Sequence, residues 1–202
     1  MEKILRAWCC LNYRPPAVGS KLPALNCEWQ FPRLDSWEMP AVRWHVETAR
    51  RPALRGTAIA LNHLSNGWLY LFLTILVLIL QGWAAWHVIW LALLSLVIAH
   101  SVYPFIKSYI ARPRPIDRDP TLTSLVNPFD AYSCPSGHCM TAVAVFIPIG
   151  FGLSTTVLPL AILALLIAWA RLAAAHHYPT DLISGVVLGT SIAVPICWAF
   201  PY

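Results

Sequence analysis

The sequence predicts an all-α, polytopic membrane helix bundle, with five transmembrane helices and an interfacial N-terminal segment. Two observations lead to this prediction. Hydrophobic residues make up 58% of the chain and charged residues only 11%, whereas soluble domains have about 25% charged residues. In addition, apolar runs close to the roughly 20 residues that a helix needs to cross a bilayer fill the chain from residue 66 onwards.

The first part of the chain, residues 1–55, differs from the rest in composition. It contains nine of the 14 basic residues and no apolar run long enough to span a bilayer. Its tryptophans are of the kind found where a protein meets the membrane–water interface. We therefore divide the chain into an interfacial segment, 1–55, and a transmembrane domain, 56–202.

Apolar periodicity and turn residues set the bounds of the spans. Gln81-Gly82 marks the hairpin between the first two, and the spacing of Gly185 and Gly189 in the last span allows another helix to pack closely against it. The predicted spans are residues 66–82, 83–106, 138–154, 156–175 and 181–200.

Alternation of these spans places three polar segments on one face of the membrane. The segments are the end of the second span, the start of the third, and residues 171–181 between the fourth and fifth. The connections on the opposite face, Gln81-Gly82 and Ser154-Thr155, carry no charge. Because ionisable residues at membrane helices are commonly functional, the sequence predicts one polar site on one face.

The cations of these segments suit an anionic ligand. Lys107, Arg114 and Arg171 can each bind phosphate oxygens, and Ser136-Gly137 begins a helix whose free N–H groups attract an anion. Outside residues 3–55 and 107–118, Arg171 is the one basic residue. This confined charge is not a general nucleic-acid pattern, so we expect a lipid phosphate rather than a nucleic acid.

Histidines and an aspartate stand beside the cations. Two of the three histidines, His138 with either His176 or His177, would supply a nucleophile and a general acid, and Asp181 would orient a ring. Arg112 has no partner in the pattern, and we expect it at the surface.

A zinc site is the alternative for the same residues. Cys134, His138 and Cys139 with either later histidine would supply enough ligands, but their spacing is unlike common zinc motifs and three nearby cations would repel the ion. The sequence therefore predicts no metal and no other cofactor.

Taken together, three motifs in order resemble the signature of the type 2 phosphatidic acid phosphatase (PAP2) superfamily, which includes membrane lipid phosphatases and soluble vanadium haloperoxidases. The resemblance covers roughly residues 60–200. The motifs are Lys107-x6-Arg114-Pro115, Pro135-Ser136-Gly137-His138 and Arg171-x5-His177-x3-Asp181. One position departs from the family pattern, since Ala170 stands where a serine often precedes the third-motif arginine.

The resemblance implies a role for each motif residue. His177, chosen over His176 by the spacing, would be the nucleophile that forms a phosphohistidine, and Asp181 would orient it. His138 would protonate the leaving oxygen and then activate water. The remaining residues would bind the phosphoryl oxygens: Lys107, Arg114, Ser136, Gly137 and Arg171. Family members are similar in needing no metal.

The resemblance also implies a function, a metal-independent membrane phosphatase. Its substrate would be an isoprenyl pyrophosphate, phosphatidylglycerol phosphate, phosphatidate or lipid A phosphate. The alternatives are a lipid phosphotransferase with an alcohol acceptor and a non-catalytic scaffold or transporter. The count of Lys and Arg would place the site in the cytoplasm, but bacterial members resemble one another in outward-facing sites, so we expect the outer face of the inner membrane. The oligomeric state is left open.

Overall fold

The computed structural model describes residues 32–201, and these form an all-α bundle. The predicted fold class, a polytopic membrane helix bundle, is confirmed. The helices are α1 (Pro32–Thr48), α2 (Pro52–Leu64), α3 (Trp68–Gln81), α4 (Ala85–Ile110), α5 (Pro115–Arg118), α6 (Gly137–Gly152), α7 (Val157–Ala173) and α8 (Pro179–Ala199). Residues 1–31 of the predicted interfacial segment lie outside the described part of the chain, and the division at residue 55 stays a prediction.

The five predicted spans correspond to α3, α4, α6, α7 and α8, with ends within four residues of the expected ones. Within residues 32–201, three stretches are long and apolar enough to cross a membrane: Trp68–Ile110, Ser154–Ala173 and Pro179–Ala199. The first of them holds both α3 and α4, joined by a 3-10 turn at Gly82–Ala84 where Gly82 takes a φ of 57°. Since α6 has 16 residues, fewer than a full span requires, the count of five crossings stays a prediction.

The outer surfaces of these helices are apolar. Large hydrophobic side chains such as Ile79, Leu158 and Leu165 are at least 70% exposed. In water such a surface would be unfavourable, whereas a bilayer covers it without cost. The exposed apolar side chains therefore mark the lipid-facing side of the bundle.

The short helix α6 lies at the centre of the bundle and packs against α4, α7 and α8. Its contact with α8 is close because both glycines of the predicted spacing face it. A Cβ on Gly185 would lie 2.4 Å from the carbonyl oxygen of Ser136, and one on Gly189 would lie 2.7 Å from that of Met140. The predicted close packing through these glycines is confirmed, and it holds the start of α6 against α8.

Helix α1 packs against the last two helices of the bundle, α7 and α8. Val42 and Val46 join Leu172 and Leu182 in one buried apolar cluster. On the other side of α1, Trp37 is 84% exposed. The described part of the N-terminal segment is therefore attached to the end of the bundle where α7 stops and α8 begins.

Candidate active site

One cavity of about 350 Å³ opens at the end of the bundle where α4 stops and α6 begins. It brings together residues from all three sequence motifs. Six of the eight predicted site residues line it: Lys107, Arg114, Gly137, His138, Arg171 and His177. Ser136 and Asp181 are fully buried beside the cavity and do not line it.

Two alanines end the helices that lead into the site. Ala111, after α4, has a φ of 50°, and Ala175, after α7, has a φ of 56°. A left-handed residue at this position closes a helix and redirects the chain. The turn at Ala111 brings Arg112 and Arg114 back towards the bundle, and the turn at Ala175 does the same for the two adjacent histidines.

His177 is held by the backbone rather than by the carboxylate predicted to orient it. Its Nδ1 lies 2.7 Å from the carbonyl oxygen of Ser133 and 3.8 Å from Oδ2 of Asp181. Because a carbonyl oxygen only accepts, Nδ1 carries the proton and Nε2 keeps a free lone pair. Burial, together with the nearby charges of Arg114 and Lys107, lowers the pKa of His177 well below its ordinary value, which keeps the ring neutral.

His138 lies in the first turn of α6, on another wall of the cavity. Its Nε2 lies 2.9 Å from Oδ1 of Asn66, and its ring stacks on that of Phe129 with a centroid distance of 6.0 Å. Gly137, just before it, has no room for a side chain, because a Cβ there would lie 2.8 Å from the Tyr103 hydroxyl. Ser136 caps α6 by position, but its hydroxyl makes no capping bond.

The three predicted phosphate-binding cations are all buried, and each contacts different groups. Lys107 bonds the carboxylate of Asp130, with Nζ 2.8 Å from each of its oxygens. Arg114 bonds the same carboxylate through Nη2 at 2.5 Å. Arg171 instead donates to the carbonyl of Asn62 and to Oγ of Ser65, at 3.1 and 2.8 Å, and its Nε has no partner among the described residues.

The prediction that Arg112 lies at the surface is wrong. Its side chain is 1% exposed and contacts three carboxylates, those of Asp35, Glu38 and Asp181, at 2.6–2.8 Å. The guanidinium also lies 3.9 Å from the ring centroid of Tyr178. Two of these carboxylates belong to α1, far away in the sequence, which is why the local pattern around Arg112 showed no partner.

The residues considered as zinc ligands do not all lie in the cavity. Of the residues weighed as ligands, the three histidines line the cavity and the two cysteines do not. Sγ of Cys134 lies 3.4 Å from Oγ of Ser184, away from the cavity, and Cys139 packs in an apolar cluster. The cavity wall thus presents imidazole and cationic side chains rather than thiols.

Several cavity residues were missed by sequence reasoning. Asp130 is the most important of them, and one signal pointed to it, since Asp130 and Asp181 are the sole acidic residues in 120–202. Other cavity residues that were missed include Ser65, Asn66, Tyr70 and Tyr103. They lie before or within the apolar spans, where polar groups of this kind more often cap helices or line the membrane interface.

Comparison with known proteins gives matches in sequence and in fold. The family model described as the PAP2 superfamily matches residues 84–202. The chain is 30% identical to the decaprenylphosphoryl-5-phosphoribose phosphatase of Mycobacterium tuberculosis over 146 residues, 70% of this chain and 78% of that protein.

Two solved structures share the fold. One is the first transmembrane PAP2 type phosphatidylglycerolphosphate phosphatase from Bacillus subtilis, with a TM-score of 0.68 and 21% identity over 83% of this chain and 86% of that one. The other is LpxE of Aquifex aeolicus, with a TM-score of 0.65 and 23% identity over 80% of this chain and 95% of that one.

Proposed function

This chain belongs to the PAP2 superfamily, and from that premise we propose that it is an integral membrane phosphatase that hydrolyses a lipid phosphate through a phosphohistidine intermediate. The observation that carries the proposal is the cavity itself. A neutral imidazole with a free nitrogen, His177, shares the cavity with three buried cations and a second histidine. Such a combination suits phosphoryl transfer, in which positioning and charge stabilisation do most of the work.

In the first step, Nε2 of His177 attacks phosphorus while the bond to the lipid oxygen breaks. His138 donates a proton to that oxygen, and the lipid alcohol leaves. In the second step, His138 takes a proton from water, whose oxygen attacks the phosphohistidine and releases inorganic phosphate. The cycle begins with His138 protonated, and at its end His177 is free and neutral and His138 again carries the proton that it donated.

The cations would hold the phosphoryl oxygens in both steps. Lys107, Arg114 and Arg171 supply positive charge where negative charge develops, and each well-placed donor can contribute about 3–4 kcal/mol to catalysis. Gly137 would donate its backbone N–H. Ser136 would reach the phosphate only by rotating its hydroxyl towards the cavity. Because side chains supply the charge, we propose that the reaction needs no metal.

Asp181 would act on His177 through charge rather than through a hydrogen bond. Its carboxylate accepts from the backbone N–H of Tyr178 at 2.8 Å and from Arg112 at 2.6 Å. At 3.8 Å from Nδ1 of His177, it can still stabilise the positive charge that the ring gains when its other nitrogen bonds phosphorus.

We expect the purified full-length protein to release phosphate from at least one lipid phosphate in excess EDTA. The panel contains an isoprenyl pyrophosphate, phosphatidylglycerol phosphate, phosphatidate and a lipid A phosphate. It also contains decaprenylphosphoryl-5-phosphoribose, the compound in the name of the 30%-identical relative. Reactions with added glycerol are screened for a transfer product. Loss of activity in EDTA would contradict metal independence, and a predominant glycerol phosphate product would favour a phosphotransferase. Inactivity on the whole panel would favour a scaffold.

We also propose that the site faces outward from the bacterial inner membrane. The cavity and α1 lie at one end of the bundle, and α8 runs away from that end to Ala199. A protease added to spheroplasts, in which the outer membrane is opened and the inner membrane is intact, should therefore cut an N-terminal tag and spare a C-terminal tag until the inner membrane is permeabilised. The reverse pattern would place the site in the cytoplasm, as the basic residues of α1 and α2 would favour.

A further inference from the structure

Asp130 occupies the place where a substrate phosphate would be expected. It lies on the loop between α5 and α6, and its side chain is 31% exposed while those of its two cationic partners are at most 6% exposed. Its carboxylate bridges Lys107 and Arg114 inside the cavity. The charges of these two partners outweigh the effect of burial and hold the pKa of Asp130 well below its usual range, so the bridge is ionic.

The bridge to Asp130 and a bond to Tyr103 together use all the hydrogen-bonding capacity of Lys107. An ammonium group has three N–H donors. One points to the Tyr103 hydroxyl at 2.5 Å, and the others point to the two carboxylate oxygens of Asp130, each at 2.8 Å. Tyr103 in turn donates to Oδ2 of Asp130 at 3.1 Å. While Asp130 stays in place, Lys107 has no N–H left for a phosphate oxygen.

Arg171 differs from the other two cations. Among the described residues its partners are a neutral carbonyl and a hydroxyl, and none of them bonds its buried Nε. A carboxylate therefore neutralises only the part of the site formed by Lys107 and Arg114. An arriving phosphate can meet Arg171 directly, but it must compete with Asp130 for the other two.

We propose that Asp130 is a resident anion that exchanges with the substrate phosphoryl group and thereby sets the affinity of the site for phosphate. The inference rests on the proposed function, because it concerns the same phosphate site. This exchange explains how three cations can stay buried in the empty site without binding free phosphate too tightly. When the product leaves, the carboxylate returns to Lys107 and Arg114 and their charges are paired again. Asp130 is thus an affinity-determining residue and does not take part in bond breaking.

If the bridge between Asp130 and the two cations had a positioning role instead, the affinity for phosphate would change in the opposite direction when Asp130 is removed. If Asp130 served to hold Lys107 and Arg114 in position for the substrate, its removal would weaken phosphate binding. If it competes with phosphate, its removal strengthens binding, because a like charge beside an anion is unfavourable. The sign of the change in affinity therefore distinguishes competition from positioning.

The experiment measures binding of inorganic phosphate to the full-length protein in detergent by isothermal titration calorimetry, at constant ionic strength. Asp130→Asn is expected to bind phosphate roughly tenfold or more tightly than the wild type. The matched control is Asp119→Asn, the same change at a carboxylate that bonds Arg43 and Thr121 and does not line the cavity; its affinity should equal that of the wild type. Unchanged or weaker binding by Asp130→Asn would overturn the proposal.

A measurement on the wild type covers the case in which Asp130→Asn does not fold. Hydrogen–deuterium exchange is followed with and without saturating phosphate. Displacement of the carboxylate should make peptides that contain Asp130 exchange faster when phosphate is bound, and slower exchange would overturn the proposal. Neither readout requires turnover. If lipid phosphates are cleaved but the affinity does not rise in the variant, this inference fails and the proposed function stands; if none is cleaved, the proposed function itself fails.

Discussion

His177→Ala is expected to abolish phosphate release, whereas His176→Ala should retain far more activity. Removing a nucleophile that acts together with a general acid costs on the order of 10⁴-fold or more. The Nδ1–H group of His177 donates a hydrogen bond to the carbonyl oxygen of Ser133, which leaves Nε2 available to attack phosphorus. His176 also lines the cavity, but its Nε2 lies 2.8 Å from both Oγ of Ser124 and the carbonyl oxygen of Val126, so it is bonded to the loop.

Both variants are compared with the wild type at saturating substrate, in EDTA and in the same detergent. Brief incubation with phosphorus-labelled lipid, followed by an alkaline quench, should leave label on the wild type and none on His177→Ala, since phosphohistidine survives alkali. Equal activity of the two variants would contradict the assignment of the nucleophile. The reverse order of activity would make His176 the nucleophile and shift the motif by one residue.

Arg112→Met is expected to lower the free energy of unfolding by about 3–5 kcal/mol, because it leaves buried carboxylates without their cation. Asp35, Glu38 and Asp181 are at most 9% exposed and all bond the Arg112 guanidinium. No aliphatic side chain can replace a guanidinium group that bonds three carboxylates at once. The loss is measured by denaturant or thermal unfolding in detergent.

Arg118→Met is the matched control for this charge removal. Arg118 is on the adjacent short helix α5, its side chain is 43% exposed, and its Nε lies 3.9 Å from Asp35. An exposed pair of this kind contributes at most about 1 kcal/mol. A similar loss of stability in both variants would contradict the prediction, because it would show that the effect does not depend on the burial of Arg112.

The apolar helices of the bundle were predictable because each one is marked by its own residues. Apolar runs and turn residues indicated α3, α4, α6, α7 and α8 to within a few residues. The motif spacing also indicated the side chains that line the cavity, since Lys107 and His138 lie near helix ends that alternation brings to one face. These signals are local, and one sequence is enough to detect them.

The pairing of charges was not predictable in the same way. Arg112 bonds residues 74 and 77 positions away in the sequence, and nothing near it indicates which acids approach it in the fold. The ring of His177 is held by a backbone carbonyl, a group that every residue has. The partnership of Asp130 with Lys107 and Arg114 depends on the path of a 120–136 loop without regular periodicity.

One contact between α1 and α8 bears on the order in which the chain assembles. Glu38 accepts hydrogen bonds from the backbone N–H and the hydroxyl of Thr180 at 2.7 and 2.8 Å, across 142 residues. During synthesis, α1 is made before α8, so Glu38 cannot reach Thr180 until α8 has also been made. The contact that fixes α1 against the helix carrying Asp181 therefore joins an early part of the described chain to a late one and can form only after the intervening helices exist.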